Sequence, residues 1–167
     1  LVGSEMCIRD SYQDIIEDVH ANSTALQTSL LAAIDKDTEA FNLVSAVFDM
    51  PKETDEDKAA RRTAMQKALK TAAQSPFEMM TLMVEALETT ATAVGKSNTN
   101  AASDLGVAAL NLKAGLQGAW LNVLINLSGI KDEDFVTDYH QKGQTLLDKG
   151  CLLADNIYKQ ILEIVLK

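Results

Sequence analysis

Large apolar side chains recur every three or four residues in the first third of the chain, at Leu26, Leu30, Ile34, Phe41, Val44 and Phe48. This spacing is typical of a helix with one buried stripe. Asp37 falls in the gap of that stripe, whereas Asp35 and Glu39 point to other faces. The pattern therefore predicts one buried carboxylate. Because an ionised acid in apolar surroundings is costly, such a residue either favours its neutral form or belongs to a polar site.

Local start and stop signals divide the chain into helices. The first is predicted over about residues 12–48, and Thr54 with Asp57 three residues later is a capping-box start for the second. Pro76, preceded by a serine, has the pattern of a third helix start, and Gly95 is the natural stop of that helix.

A fourth helix is predicted over about residues 100–127, and acidic residues from Asp132 suit the positive end of a last helix. Apolar residues make up 47% of the 167 residues, which is enough for the core of one domain, and the few glycines, prolines and aromatics favour helices over strands. We therefore predict an all-α bundle of about five helices, with a long first and a long fourth helix.

The predicted fourth helix is apolar on most sides but carries one polar and glycine-rich seam. Its members share a common direction and are Asp104, Asn111, Gly115, Gly118, Asn122 and Asn126. Glycines allow a backbone or a flat ligand to come close, and asparagines offer donors and acceptors. The seam is either a ligand cradle or a place of close helix packing.

Charge and composition exclude several functional classes. The net charge of −9 argues against general nucleic-acid binding, which needs a basic face. No apolar run is long enough for a membrane span, so we expect a cytoplasmic protein. Cys7 and Cys151 are the only cysteines, which are too few and too separate in the sequence to suggest a disulfide framework or a zinc site.

Three basic residues share one face of the predicted second helix. Lys58, Arg61 and Arg62 stand at i, i+3 and i+4, which is the spacing of an anion-binding face and also of an ordinary solvated surface. Asp37 has a similar alternative, because a helix N-terminus or an arginine could satisfy a purely structural buried acid.

The first residues have an unusual sequence. The segment 1–11, LVGSEMCIRDS, resembles a translated sequencing adapter, and we interpret it as a non-native tail; an ordinary polar tail is the alternative. The domain then covers residues 12–167 and lacks sequence upstream. Loss of a core helix predicts exposed Leu, Ile and Val side chains along the first or fourth helix.

Four ordered motifs resemble one family. They are the run Ile34 to Phe41, the link Met50 to Thr54, the segment Asn98 to Ala109 with Ser103-Asp104, and the run Gly118 to Leu127. The family is that of formimidoyltetrahydrofolate cyclodeaminases and methenyltetrahydrofolate cyclohydrolases, which includes the cyclodeaminase domain of formimidoyltransferase-cyclodeaminase. Its members usually carry a Pro-Gly-Gly-Gly-Ser stretch and a helix before the first of these motifs, and this chain has neither.

The resemblance implies an all-helical, dimer-forming enzyme that binds a tetrahydrofolate derivative, commonly as a polyglutamate, and no further cofactor. The catalytic aspartate of the family matches Asp37. The residues that match its other motifs, as candidate ligand contacts, are Ser103, Asp104, Asn122 and Asn126. We expect Asp37 to move the proton that lets ammonia leave, and the face of Lys58, Arg61 and Arg62 to attract the glutamate tail.

Two other functions stay open. A cyclohydrolase would add water to the bridge carbon of the same cyclic folate and would need the same proton transfers. A non-catalytic helical assembly module would use Asp37 as a buried registry device.

Overall fold

The computed structural model describes residues 12–167. Four α-helices follow one another: α1 (Gln13–Phe48), α2 (Asp55–Ala93), α3 (Ala102–Leu127) and α4 (Glu133–Val165). A 3-10 helix, Thr99–Ala101, precedes α3. The described residues contain no β-strand, so the predicted all-α fold is confirmed, with four helices in place of about five.

Most of the predicted helix boundaries are correct, and local hydrogen bonds explain them. The Thr54 hydroxyl accepts from the backbone N–H of Asp57 at 3.0 Å, and the Asp57 carboxylate accepts from the Thr54 N–H at 3.1 Å, which is the predicted capping box. Gly95 adopts a φ of 73° just after α2 ends. Asp132 caps α4 by accepting from the N–H of Phe135 at 3.1 Å.

Pro76 lies inside α2, so the predicted boundary between a second and a third helix is wrong. Proline has no N–H, and the carbonyl of Ala72, four residues earlier, therefore loses its donor within the helix. The side-chain amide of Asn126 in α3 replaces it, with Nδ2 3.0 Å from the Ala72 oxygen. A hydrogen-bond donor from another helix thus replaces the N–H that is missing at the proline inside α2.

The core lies between α2, α3 and α4. One cluster of buried side chains is centred on Met80, Trp120 and Val123, and a second on Leu87 and Ile157. Trp120 is 6% exposed and belongs to the first of these clusters.

Two glycines of α4 allow this core to close. A Cβ at Gly143 would overlap the ring of Trp120, and a Cβ at Gly150 would overlap the side chain of Leu116. Both glycines are buried, so α4 comes closer to α3 than any larger residue at these positions would permit.

Helix α1 has its extensive contact with α2 and adds no residue to either buried cluster. From Leu26 onward, the positions of α1 that are buried or half-buried recur at alternating steps of four and three residues, as in a coiled-coil seam. They are Leu26, Leu30, Ala33, Asp37, Ala40, Val44 and Val47.

The predicted buried stripe of α1 is therefore wrong in part. Ile34, Phe41 and Phe48 are 57%, 68% and 63% exposed, because the contact with α2 is centred on Ala33 and Ala40. Small side chains let two helices approach closely. The larger side chains of α1 then lie beside the contact and not inside it.

Exposed apolar residues also follow the outer face of α3, at Val107, Leu110, Leu121 and Ile125. The predicted exposure of Leu, Ile and Val along the first and fourth predicted helices, which are α1 and α3, is confirmed. Within residues 12–167, no helix has both the length and the apolar character needed to cross a lipid bilayer.

Candidate functional site

Asp37 lies in the seam between α1 and α2, one turn from the buried residues Ala33 and Ala40. Its side chain is half-buried, so the predicted full burial is wrong. The reason is that α1 is covered by α2 on one side only. Within the described part of the chain, Asp37 forms no ion pair. Neither an arginine nor a helix N-terminus of these residues binds its carboxylate.

An ion pair across the seam shows which part of α2 lies beside Asp37. Lys36 pairs with Glu78 at 3.6 Å, and Leu26 and Glu85 line the same cleft further along the seam. Ser75, three residues before Glu78 on α2, is 8% exposed. Its hydroxyl is buried and has no hydrogen-bond partner among the described residues. The α2 segment beside Asp37 therefore contains one buried polar group without a partner.

Asn126 of α3 bonds to α2 close to this level of the bundle. Its amide nitrogen donates to the Ala72 carbonyl at 3.0 Å and to the Asn122 carbonyl at 2.9 Å. Ala72 precedes Glu78, the partner of Lys36, on α2, so Asn126 bonds to α2 within about two helical turns of the level of Asp37. The side chain of Asn122 is exposed one turn earlier on α3.

Ser103 and Asp104 are not close to this group. Both are exposed in the first turn of α3, and the rise of 1.5 Å per residue puts Asp104 roughly 27 Å from Asn122 along the helix. The predicted seam is therefore too long to form one compact site within the described chain.

The glycines of the predicted seam have different surroundings. A Cβ at Gly115 would be 3.2 Å from the methyl carbon of Met83, whereas a Cβ at Gly118 would meet open space. Gly115 thus serves helix packing, which was one of the two alternatives, and Gly118 leaves room on the exposed face of α3.

The three basic residues lie near the junction of α1 and α2. Arg61 donates from Nε to the Val47 carbonyl at 3.1 Å and from a terminal nitrogen to the Phe48 carbonyl at 3.4 Å. These bonds satisfy carbonyls at the C-terminal end of α1. Lys58 pairs with Asp55 at 3.4 Å. The guanidinium of Arg61 is therefore bonded to the end of α1, whereas Arg62 is exposed.

Asp37 does not line either of two open clefts of the described structure. One, of about 400 Å³, lies between α1 and α2 around Leu26 and Glu85. The other, of about 540 Å³, lies between α2 and α4 around Phe77 and Lys142.

The remaining candidate groups are potential metal ligands and the cysteine thiols. Residues 12–167 contain no group of three or more His, Cys, Asp or Glu side chains placed to hold a metal. Burial raises the pKa of the Cys151 thiol, which disfavours the thiolate. Cys7 lies outside the described residues.

Comparison with known proteins decides the family. The family model described as formiminotransferase-cyclodeaminase matches residues 6–145. The chain belongs to this family. The matched range begins inside the segment 1–11, whose interpretation as a non-native tail stays a prediction.

Curated relatives include two kinds of enzyme. A methenyltetrahydrofolate cyclohydrolase of Methylorubrum extorquens is 36% identical over 146 residues, which cover 87% of this chain and 70% of that protein. The formimidoyltransferase-cyclodeaminase of Gallus gallus is 35% identical over 121 residues, or 72% of this chain and 22% of that protein. The same enzyme of Sus scrofa is 36% identical over 139 residues, with 81% and 24% covered. This chain thus spans about a quarter of the length of these two vertebrate proteins.

A solved structure has the same fold. The crystal structure of formiminotetrahydrofolate cyclodeaminase from Thermotoga maritima matches with a TM-score of 0.65 and 26% identity, over 84% of this chain and 64% of that one. The chain therefore spans slightly less than two thirds of the solved protein.

Sequence reasoning missed Ser75 and the link between Pro76 and Asn126. Ser75 could have been found by counting alanine as a core residue, because the seam spacing on both helices then appears. Nothing in the local sequence indicates that an asparagine fifty residues away bonds to the Ala72 carbonyl.

Proposed function

We propose that this family member is a formimidoyltetrahydrofolate cyclodeaminase, which closes 5-formimidoyltetrahydrofolate to 5,10-methenyltetrahydrofolate and releases ammonia. The observation that carries the proposal is the position of Asp37, a half-buried carboxylate without an ion-pair partner in the α1 and α2 seam of a fold shared with a cyclodeaminase. The substrate, a folate with a glutamate tail, and the assignment to the ammonia-releasing lyases are parts of this proposal.

The reaction requires one proton to leave a nitrogen and another to reach a different nitrogen. The arylamine nitrogen attacks the formimidoyl carbon, a carbon–nitrogen bond forms, and the five-membered ring closes. The arylamine loses its proton, and the amino group must gain one before its bond to carbon breaks and ammonia leaves. A single carboxylate can take the first proton and deliver the second. Asp37 is suited to this shuttle, because its carboxylate is half-buried and pairs with no cation within the described residues.

The candidate residues on α3 would orient the substrate. Asn122 is exposed and its amide can donate and accept, so it can hold a pteridine edge. Ser103 and Asp104 lie too far along α3 to reach the same ligand as Asn122 from one chain. We propose that they contribute to a site only if a second copy brings them close.

A basic face would hold the glutamate tail. Lys58 and Arg62 lie near the end of α1, and eleven residues of helix separate Asp37 from Phe48, or roughly 16 Å. That separation is comparable to the length of the aminobenzoyl-glutamate part of a folate. Arg61 would act indirectly, because its guanidinium is bound to α1 carbonyls.

The dimer is likewise a proposal. Exposed apolar residues on α1 and α3, such as Phe41, Leu121 and Ile125, form surfaces that a second copy would cover. Sedimentation of the wild type and of Leu121→Asp/Ile125→Asp tests it. We expect a dimer for the wild type and a monomer for the variant; a monomeric wild type would contradict the proposal.

A cyclohydrolase is the second candidate. The relative from Methylorubrum extorquens favours it, because the alignment covers 70% of that enzyme rather than a quarter. Water would attack the bridge carbon of methenyltetrahydrofolate, and the same carboxylate would accept its proton. The two candidates therefore differ in substrate and not in the residue that moves the proton.

One pair of assays separates these functions. Formimidoyl- and methenyl-tetrahydrofolate are supplied side by side, and ammonia release and loss of the methenyl absorbance are measured. We expect ammonia release by the wild type, at least a hundredfold less by Asp37→Asn, and an unchanged rate for the exposed control Asp35→Asn. Turnover of the methenyl substrate alone would select the cyclohydrolase. A folded wild type that turns over neither substrate would favour the assembly module.

A further inference from the structure

The amide of Asn126 has a single possible orientation. Its two contacts, the carbonyls of Ala72 and Asn122, are both hydrogen-bond acceptors, so the NH2 group and not the oxygen must face them. Both hydrogens of the amide are used in this way. Only Oδ1 of Asn126 is left for any other partner.

One of these bonds has a specific cause in α2. The Ala72 carbonyl lacks a donor because residue 76 is proline, and a buried carbonyl without a partner is costly. Pro76 is fully buried, so water has little access to this part of the helix. The bond from Asn126 therefore compensates for the proline across the interface between two helices.

The same segment of α2 forms the other wall of the Asp37 seam. Glu78, two residues after Pro76, pairs at 3.6 Å with Lys36, the chain neighbour of Asp37, while the Ala72 carbonyl bonds to α3. A proline inside a helix removes one backbone bond and is a common cause of bending. The bond from Asn126 therefore holds α2 next to the turn that faces Asp37.

We propose that Asn126 is a positioning residue for Asp37, which acts by closing the hydrogen-bond gap that Pro76 makes in α2 and not by donating to a ligand. This inference rests on the proposed function, because it assumes that Asp37 moves the proton. It also predicts a coupling between Asn126 and Pro76 that exists whatever the reaction is.

A double-mutant cycle on stability tests the coupling. Urea unfolding is measured for the wild type, Asn126→Ala, Pro76→Ala and the double variant. We expect Asn126→Ala to lower the folding equilibrium constant about tenfold or more in the wild type, because it orphans the Ala72 carbonyl. In the Pro76→Ala background residue 76 has its own N–H, and the same change should cost no more than about threefold.

A matched control is Asn111→Ala, which removes an exposed asparagine from the same helix and should leave stability unchanged or slightly higher. Equal losses for Asn126→Ala in both backgrounds would overturn the coupling. Because the cycle compares the same substitution in two backgrounds, any cavity left by the proline cancels.

Steady-state kinetics test the positioning role. Asn126→Ala should lower kcat about tenfold or more and leave KM within about twofold, because the loss is in alignment of the proton carrier. The double variant with Pro76→Ala should regain most of kcat. A raised KM that Pro76→Ala does not restore would overturn the inference and make Asn126 a substrate contact. An inactive but folded wild type would refute the proposed function and the catalytic part of this inference, whereas the stability cycle would still decide the coupling.

Discussion

Replacing Asp37 with leucine should separate stability from activity in this fold. Asp37 occupies a heptad position of the seam, with buried alanines one turn away on either side. Leucine is the residue that such a position ordinarily carries. The substitution removes a half-buried carboxylate that has no ion-pair partner and adds apolar surface to the contact between α1 and α2.

The size of the gain follows from burial. Burying a whole leucine side chain contributes about 1.5–3 kcal/mol, and a half-buried site recovers about 1 kcal/mol of this. For a protein of this size that corresponds to a rise in Tm of about 2–4 °C. Leucine also has a higher helix propensity than aspartate, which must be separated from the burial effect.

The control is Asp35→Leu, on the exposed side of the same helix. It makes the same change in charge and propensity but buries little, so the difference between the two variants isolates the seam. Thermal unfolding followed by circular dichroism gives the stability, and ammonia release gives the activity. We expect Asp37→Leu to be more stable than Asp35→Leu and inactive, and Asp35→Leu to be active. If Asp37→Leu were the less stable of the two, the assignment of Asp37 to an apolar seam would be refuted.

Two further predictions concern packing and pH. Gly143→Ala places a methyl group against the ring of Trp120 and should lower the free energy of unfolding in urea by about 1–3 kcal/mol. Gly118→Ala faces open space and should raise that free energy by up to about 1 kcal/mol. Equal effects would contradict the close approach at Gly143. The hydrogen bond from Lys70, with the cap to α4, lowers the pKa of Asp132 below its ordinary value of 3.8, so its contribution is present above that pH and lost as the pH falls through the lowered value. Asp132→Asn should therefore unfold at lower urea than the wild type at pH 7 and at equal urea at pH 2, and a difference that persists at pH 2 would refute this origin.

Features decided by neighbouring residues could be predicted from the sequence. The capping box at Thr54, the glycine stop at Gly95 and the acidic start of α4 at Asp132 all depend on bonds within a few residues. The motifs around Asp37 likewise placed the chain in its family. These signals depend on residues that are close in the sequence, and the structure contains each of the corresponding local features.

Features decided by a distant partner could not be predicted. Pro76 follows a serine and has the local pattern of a helix start. The helix nevertheless continues through it, and the bond that compensates for its missing N–H comes from Asn126, which is distant in the sequence. The face of α1 that is buried depends on how closely α2 approaches, which Ala33 and Ala40 determine and the larger side chains do not. The burial of Asp37 was overestimated for the same reason, since the number of helices that cover α1 is not a property of its own sequence.

Helix α1 is attached along a single line, and this gives the molecule two levels of local stability. The three other helices bury one another, so opening any of them breaks the core, whereas α1 can detach by opening one row of small side chains. Its amide hydrogens should then exchange with solvent well before those of α3. Asp37 travels with this less protected element, so whatever binds to the open side of α1 would also determine how long the carboxylate stays in place.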